Sequence, residues 1–204
     1  MMSTDRSGAR RLRLAVGAAT LLLVAACGTA TAGPEGPGAA PGAVATTATA
    51  QPGAAFDEAD VMFAQMMIPH HQQAVEMAEL AETRAADPEV KELAARIKAA
   101  QEPEIQSMRS WLGAWGRLMP SDGMHHDMPG IMSADDMKRL EAAEGAAFDK
   151  LFGQLMIAHH KGAIEMAEAE QARGVNPEAK ELARTIASTQ QAEVDQLRQI
   201  LDRL

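Results

Sequence analysis

The sequence predicts an all-α fold: a four-helix bundle built from two duplicated antiparallel helical hairpins. Three observations lead there. Residues 60–112 slide onto residues 149–201 without a gap and with roughly 45% identity, too strong a period for coincidence. The palette suits helices rather than strands, since Tyr is absent, there are only 4 Phe and 2 Trp, and Ala, Leu and Met abound. Each copy also carries two apolar patterns of helical period, giving a hairpin with a stripe it cannot cover alone. Two such hairpins packed face to face bury both stripes.

Along the chain, residues 1–26 stand apart from the fold. Arg6, Arg10, Arg11 and Arg13 make a positive start, and LAVGAATLLLVAA (Leu14 to Ala26) is apolar but shorter than the roughly 20 residues that span a bilayer. The run ends in VAAC, with Cys27 the only cysteine of the chain. This segment resembles a bacterial lipoprotein signal with its lipobox. That implies cleavage before Cys27, acylation of its thiol, and a membrane-anchored position outside the cytoplasm, at a cell surface or in a periplasm. An ordinary secretory signal would put the domain on the same side of the membrane. Residues 27–55, rich in Gly, Ala, Pro and Thr, lack the apolar side chains needed to fold and predict a tether spanning on the order of 30 Å. The formal net charge is −9, and it grows more negative once the basic leader is removed. An acidic domain without a basic stripe is a poor partner for nucleic acid and a better one for cations.

The folded part, residues 56–203, divides into a first repeat of about 57–118, a Met/His loop of about 119–132 and a second repeat of about 133–203. The first helix is expected from about Asp57 to Arg84 and its counterpart from about Phe148 to Arg173. Asp87-Pro88-Glu89 and Asn176-Pro177-Glu178 open the second helix of each copy, with a capping side chain, Pro at the first position and an acid in the first turn. Gly174 sits where a left-handed C-terminal residue is expected. Ser133 to Asp136 reads as a cap starting a shorter helix that leads into the third long one. Pro69 and Pro103 interrupt helical patterns of the first copy, where the second has Ala158 and Ala192, so a local kink is expected in the first hairpin only.

At about 100° per residue, Met67, His70, His71 and Met77 share one side of the first helix with Phe63, Ala74 and Ala78. Met156, His159, His160 and Met166 repeat the set on the third. This is the apolar side, so the imidazoles point to the core, where each ring nitrogen needs a partner. Gln101 and Glu104 lie on the inner face of the second helix, Gln190 and Glu193 on that of the last. Reversal near residues 86–87 and 175–176 sets each MxxHH level with a QxxE. Soft thioethers with borderline imidazoles favour copper, especially Cu(I), over Mg, Ca or Mn. Glu104 and Glu193 either ligate or accept the hydrogen bond of a non-ligating ring N–H. Packing and a hydrogen-bond network are the alternative readings.

Between the repeats, LMPSDGMHHDMPGIMS places Met119, Met124, His125, His126, Met128 and Met132 in a Pro/Gly loop, a possible labile, exposed copper site or a solvated connector. Glu76, Glu79, Glu165 and Glu168 point away from the Met/His face, and Asp60 and Asp149 are expected to serve helix N-termini.

The segments FAQMMIPHHQQAVEMA and FDKLFGQLMIAHHKGAIEMA, with QEPEIQSMRSWL after the first, resemble the family of domain of unknown function 305 (DUF 305) with its CopM-like proteins, placed among ferritin-like helical bundles. The resemblance spans about residues 56–203. It implies an extracytoplasmic four-helix bundle that binds copper through Met67, His70, His71, Met77, Met156, His159, His160 and Met166, in copper homeostasis or resistance. The leading expectation is therefore a lipid-anchored protein that sequesters or transfers Cu(I) without catalysis. A ferritin-like dinuclear metal oxidase is the enzymatic alternative, although such sites use Glu-x-x-His where this chain has Met67 and Met156. A non-metal structural or interaction module is the third.

Overall fold

The computed structural model describes residues 55–120 and 128–204. The leader, the tether and Cys27 lie outside the described residues, as do Met124, His125 and His126. Five helices follow one another: α1 Glu58–Arg84, α2 Pro88–Ala114, α3 Ala134–Ala142, α4 Gly145–Arg173 and α5 Pro177–Arg203. Among the described residues there is no strand, and no helix is long and apolar enough to cross a membrane.

The caps explain why the helices start where they do. Asp57 caps α1 in a box with Asp60, and Asp87 and Asn176 accept from the backbone of the first turn of α2 and α5, each followed by Pro. Ser133 opens α3 by accepting from Asp136 N. Both α1 and α2 run continuously through Pro69 and Pro103. Gly174 corrects the expectation placed on it: at φ −64° and ψ 157° it is extended, not left-handed. The left-handed cap is found instead at Gly116 (φ 64°), where the N–H groups of Gly116 and Arg117 close onto the carbonyls of Gly113 and Leu112.

Helix α1 packs along α2, α4 along α5, and the two hairpins meet mainly through α1 against α4, with α3 lying on both. Pairings across the helices fix the directions. Lys98 of α2 reaches Glu79 of α1, and Arg203 near the end of α5 reaches Asp87 and Glu89 at the start of α2. Two buried carboxylates join the hairpins reciprocally. Asp149 of α4 accepts from Ala86 N and Asp87 N at the first reversal, at 3.1 and 3.0 Å. Asp60 of α1 accepts from Asn176 N at 2.9 Å and from Val175 N at the second reversal. The two aspartates thus serve helix starts, as the sequence suggests, each reaching one in the opposite hairpin, Asp60 in addition to the start of its own helix.

The core comes in two apolar clusters. One gathers Ala74 to Ala81 of α1, Val90 to Ile97 of α2, Leu140 of α3, Phe148 to Met156 of α4, and Leu197 and Ile200 of α5. The other gathers Val61 to Ile68, Ile105 to Leu112, Ala163 to Ala167, and Ala179 to Ile186. On every long helix the polar residues singled out by the sequence lie between these clusters.

Candidate functional site

His70 and His71 of α1, Gln101 and Glu104 of α2, His159 and His160 of α4, and Gln190 and Glu193 of α5 make up that intervening layer. All four imidazoles are fully buried, and both glutamines nearly so. Burying this many polar groups is costly unless they find partners. His71 Nε2 lies 2.8 Å from Glu104 Oε2, and His160 Nε2 lies 2.7 Å from Glu193 Oε2. Each MxxHH therefore engages the QxxE of its own hairpin through its second histidine.

The first histidine of each pair behaves differently. His70 and His159 bring the two hairpins into direct contact through their rings. His70 Nε2 donates to Pro129 O at 3.1 Å. A carbonyl or carboxylate can only accept, so Nε2 of His70, His71 and His160 carries a proton. Five buried ring nitrogens have no hydrogen-bond partner among the described residues: Nδ1 of all four histidines and Nε2 of His159. Burial, reinforced by the neighbouring His71, lowers the His70 pKa to about 3, and burial followed by the field of His70 holds His159 well below its ordinary value. Both are neutral imidazoles at physiological pH, the form that ligates metals.

The expected thioethers are buried but divided. Met77 and Met156 belong to the cluster on one side of the polar layer, Met67 and Met166 to that on the other. Among the described residues, no group of three or more His, Cys, Asp and Glu side chains is arranged to hold a metal ion.

The inter-repeat loop is partly tied down, which changes its expected role. Met128 is buried, Met132 is half-buried against the core, and Met119 is exposed. Gln73 of α1 grips the backbone of Met132 from both sides, its amide donating to the carbonyl and its oxygen accepting from the N–H. Gly162 of α4 lets Pro129 approach so closely that a Cβ there would lie 2.0 Å from the Pro129 carbonyl oxygen. Residues 128–132 thus form a strap over His70, with Met128 buried rather than exposed. Gln73 and Gly162 occupy equivalent positions of the two repeats and were missed by sequence reasoning; their difference within otherwise matching HH segments was the available signal.

An all-helical, duplicated domain with a buried imidazole layer is the class defined by this geometry. The chain belongs to the family described as domain of unknown function (DUF305), whose model matches residues 60–201. A DUF305 protein from Streptomyces coelicolor, assigned as secreted, is 33% identical, with 71% of this chain and 93% of that one covered and a TM-score of 0.67. A DUF305 fragment from Deinococcus radiodurans is 31% identical over 72% of this chain and 98% of that one, with a TM-score of 0.66. CopM in its Cu(I)-bound form is 36% identical over 71% and 96%, with a TM-score of 0.61. CopM structures in Cu(II)-bound and silver-bound forms also match. No curated protein matches the chain.

Proposed function

We propose that the protein is an extracytoplasmic copper-binding protein, anchored by lipid at Cys27 through the tether of residues 27–55, that sequesters or transfers Cu(I) in a ferritin-like four-helix bundle of residues 56–203. The ligands are drawn from Met67, His70, His71, Met77, Met156, His159, His160 and Met166. Glu104 and Glu193 hold the second histidine of each pair by its Nε2–H and keep Nδ1 available, with Gln101 and Gln190 beside them.

The observation that carries this reading is the set of five partnerless imidazole nitrogens in a fully buried layer. A layer serving only to fix hairpin pairing would satisfy its own polar atoms, because buried donors and acceptors left unpaired destabilise the fold. A metal ion would turn the lone pairs among them, one for each neutral imidazole, from a cost into bonds. The likeness to CopM, which is seen with Cu(I), Cu(II) and silver, supports soft-metal chemistry. Cu(I) is favoured because thioethers are soft and uncharged. The reading is tested by anaerobic titration of the metal-free protein with Cu(I) against a chromophoric chelator. Binding tighter than about micromolar supports it, and weaker binding rejects it.

A further inference from the structure

A cavity of about 360 Å³ opens between the first half of α1 and the second half of α4. Met62 and Met66 wall it from α1, Met166 and Glu170 from α4, and Pro129 of the strap closes its inner end. Each helix contributes residues four apart, which share one face, so two pairs oppose each other across the space.

The duplication supplies an internal control. By the register of the repeats, the equivalents of Met62, Met66, Met166 and Glu170 are Leu151, Leu155, Met77 and Ala81. That second groove is filled: α3 lies across α1 and α4, its Leu140 is fully buried, and Leu151 and Leu155 pack against the same cluster. The open groove differs by having sulfur in place of two leucine branches and a carboxylate in place of a methyl group. Apolar packing alone does not call for either change, since Leu already fills this surface in the other copy.

Glu170 is the second, independent observation. It is 2% exposed and faces the buried Asp60, and burial together with that neighbouring carboxylate pushes its pKa up to about 8. Space for it is made by Gly174, where a Cβ would lie 2.2 Å from Glu170 Oε1. The cation nearest in sequence, Lys180, donates to the Gly174 carbonyl. Two carboxyl groups brought together in a buried place cannot both be charged cheaply, and a cation entering the cavity would meet an acidic wall there.

We propose that this cavity is a second metal site, taking a soft monovalent cation of the Cu(I) or Ag(I) type on the thioethers of Met62, Met66 and Met166, with the carboxyl group of Glu170 in the wall beside them. Glu58 and Glu165 also line the cavity and favour cation entry, although Glu58 is paired with Arg117 and Arg173 stands among the lining residues too. The inner wall is shared with the imidazole layer, because Pro129, which lines the cavity, accepts the His70 hydrogen bond. The cavity thus lies one residue from His70. It goes beyond the function proposed above, draws on Met166 of the ligand set named there, and is distinguished from metal binding by the imidazoles through Met62 and Met66.

The test uses Ag(I) as a diamagnetic probe on the purified chain carrying ¹³C-labelled methionine methyl groups. The variants are Met62→Leu/Met66→Leu, which copies the residues of the other repeat and so preserves packing, and His70→Gln/His159→Gln. In the parent protein the Met62 and Met66 methyl resonances are expected to shift on Ag(I) addition. The double Leu variant is expected to bind one equivalent fewer while the imidazole layer binds as before. The His variant is expected to retain the Met62 and Met66 shifts. Methyl resonances that stay in place at saturating Ag(I), or a double Leu variant with unchanged stoichiometry, would overturn the proposal. Loss of the cavity equivalent in the His variant would also overturn it as a separate site. Retained cavity binding with no equivalent lost in the His variant would sink the imidazole-layer reading and leave this one standing.

Discussion

The imidazole rings of His70 and His159, one from each half of the duplication, lie with centroids 3.8 Å apart and planes inclined at 41°. The contact joins the two hairpins at the centre of the polar layer, and it places two titratable groups where neither can be charged cheaply.

Acid should therefore loosen the metal-free protein. Burial holds the His70 pKa at about 3, against 6.5 ordinarily. As pH falls below about 6.5 the unfolded chain takes up a proton that the folded chain refuses. Stability from this group is full above about pH 6.5 and is lost towards pH 3, by on the order of 4 kcal/mol at the lower end. His159 shifts in the same direction and adds to the effect. Urea unfolding at about pH 7 and about pH 4.5 should show a lower midpoint in acid, with the difference reduced in His70→Gln/His159→Gln. Equal slopes with pH in parent and variant would contradict this.

The pairs His71–Glu104 and His160–Glu193 orient two imidazoles. Glu104→Gln/Glu193→Gln keeps an acceptor of the same shape but removes the charge. Copper affinity should fall by roughly 10- to 100-fold while the unfolding midpoint changes little. Competition titration and thermal melts on the same sample separate the two effects.

Asp149 holds the first reversal from the opposite hairpin, accepting from two backbone N–H groups. Asp149→Ala leaves both without that partner, and a loss of roughly 2 kcal/mol in chemical denaturation is expected. An unchanged stability would mean that the hairpins dock without this clamp.

Gly162 and Gly153 are both buried in α4, yet they should respond differently to Ala. At Gly162 the new methyl meets the Pro129 backbone at 2.0 Å, whereas at Gly153 it meets only the flexible end of Leu201 at 3.0 Å. Gly162→Ala should cost roughly 2 kcal/mol or more by displacing the strap, and Gly153→Ala should be near neutral because Ala also favours helix. Denaturation of the two variants side by side decides the matter.

Much of this was legible from residue spacing because helices announce themselves locally. Asp87-Pro88 and Asn176-Pro177 mark starts that the structure confirms, and the helical period puts all four histidines of α1 and α4 on the buried side. What was not legible depends on residues distant in sequence. Gly174 reads as a helix stop by its position, but its lack of a side chain is used to admit Glu170. Met128 and Met132 read as loop residues by their Pro and Gly neighbours, but Gln73 and Gly162, some thirty to sixty residues away, draw them onto the core. Asp60 and Asp149 show their charge in the sequence but not that each reaches across to the other hairpin.

The central claim is that imidazole from this buried layer, together with thioether sulfur, binds copper. X-ray absorption at the copper edge of the Cu(I)-loaded protein, compared with His70→Gln/His159→Gln, tests it most directly. The account expects nitrogen and sulfur scatterers in the parent and loss of the imidazole signature in the variant. A shell of oxygen alone, or identical spectra for the two proteins, would contradict it.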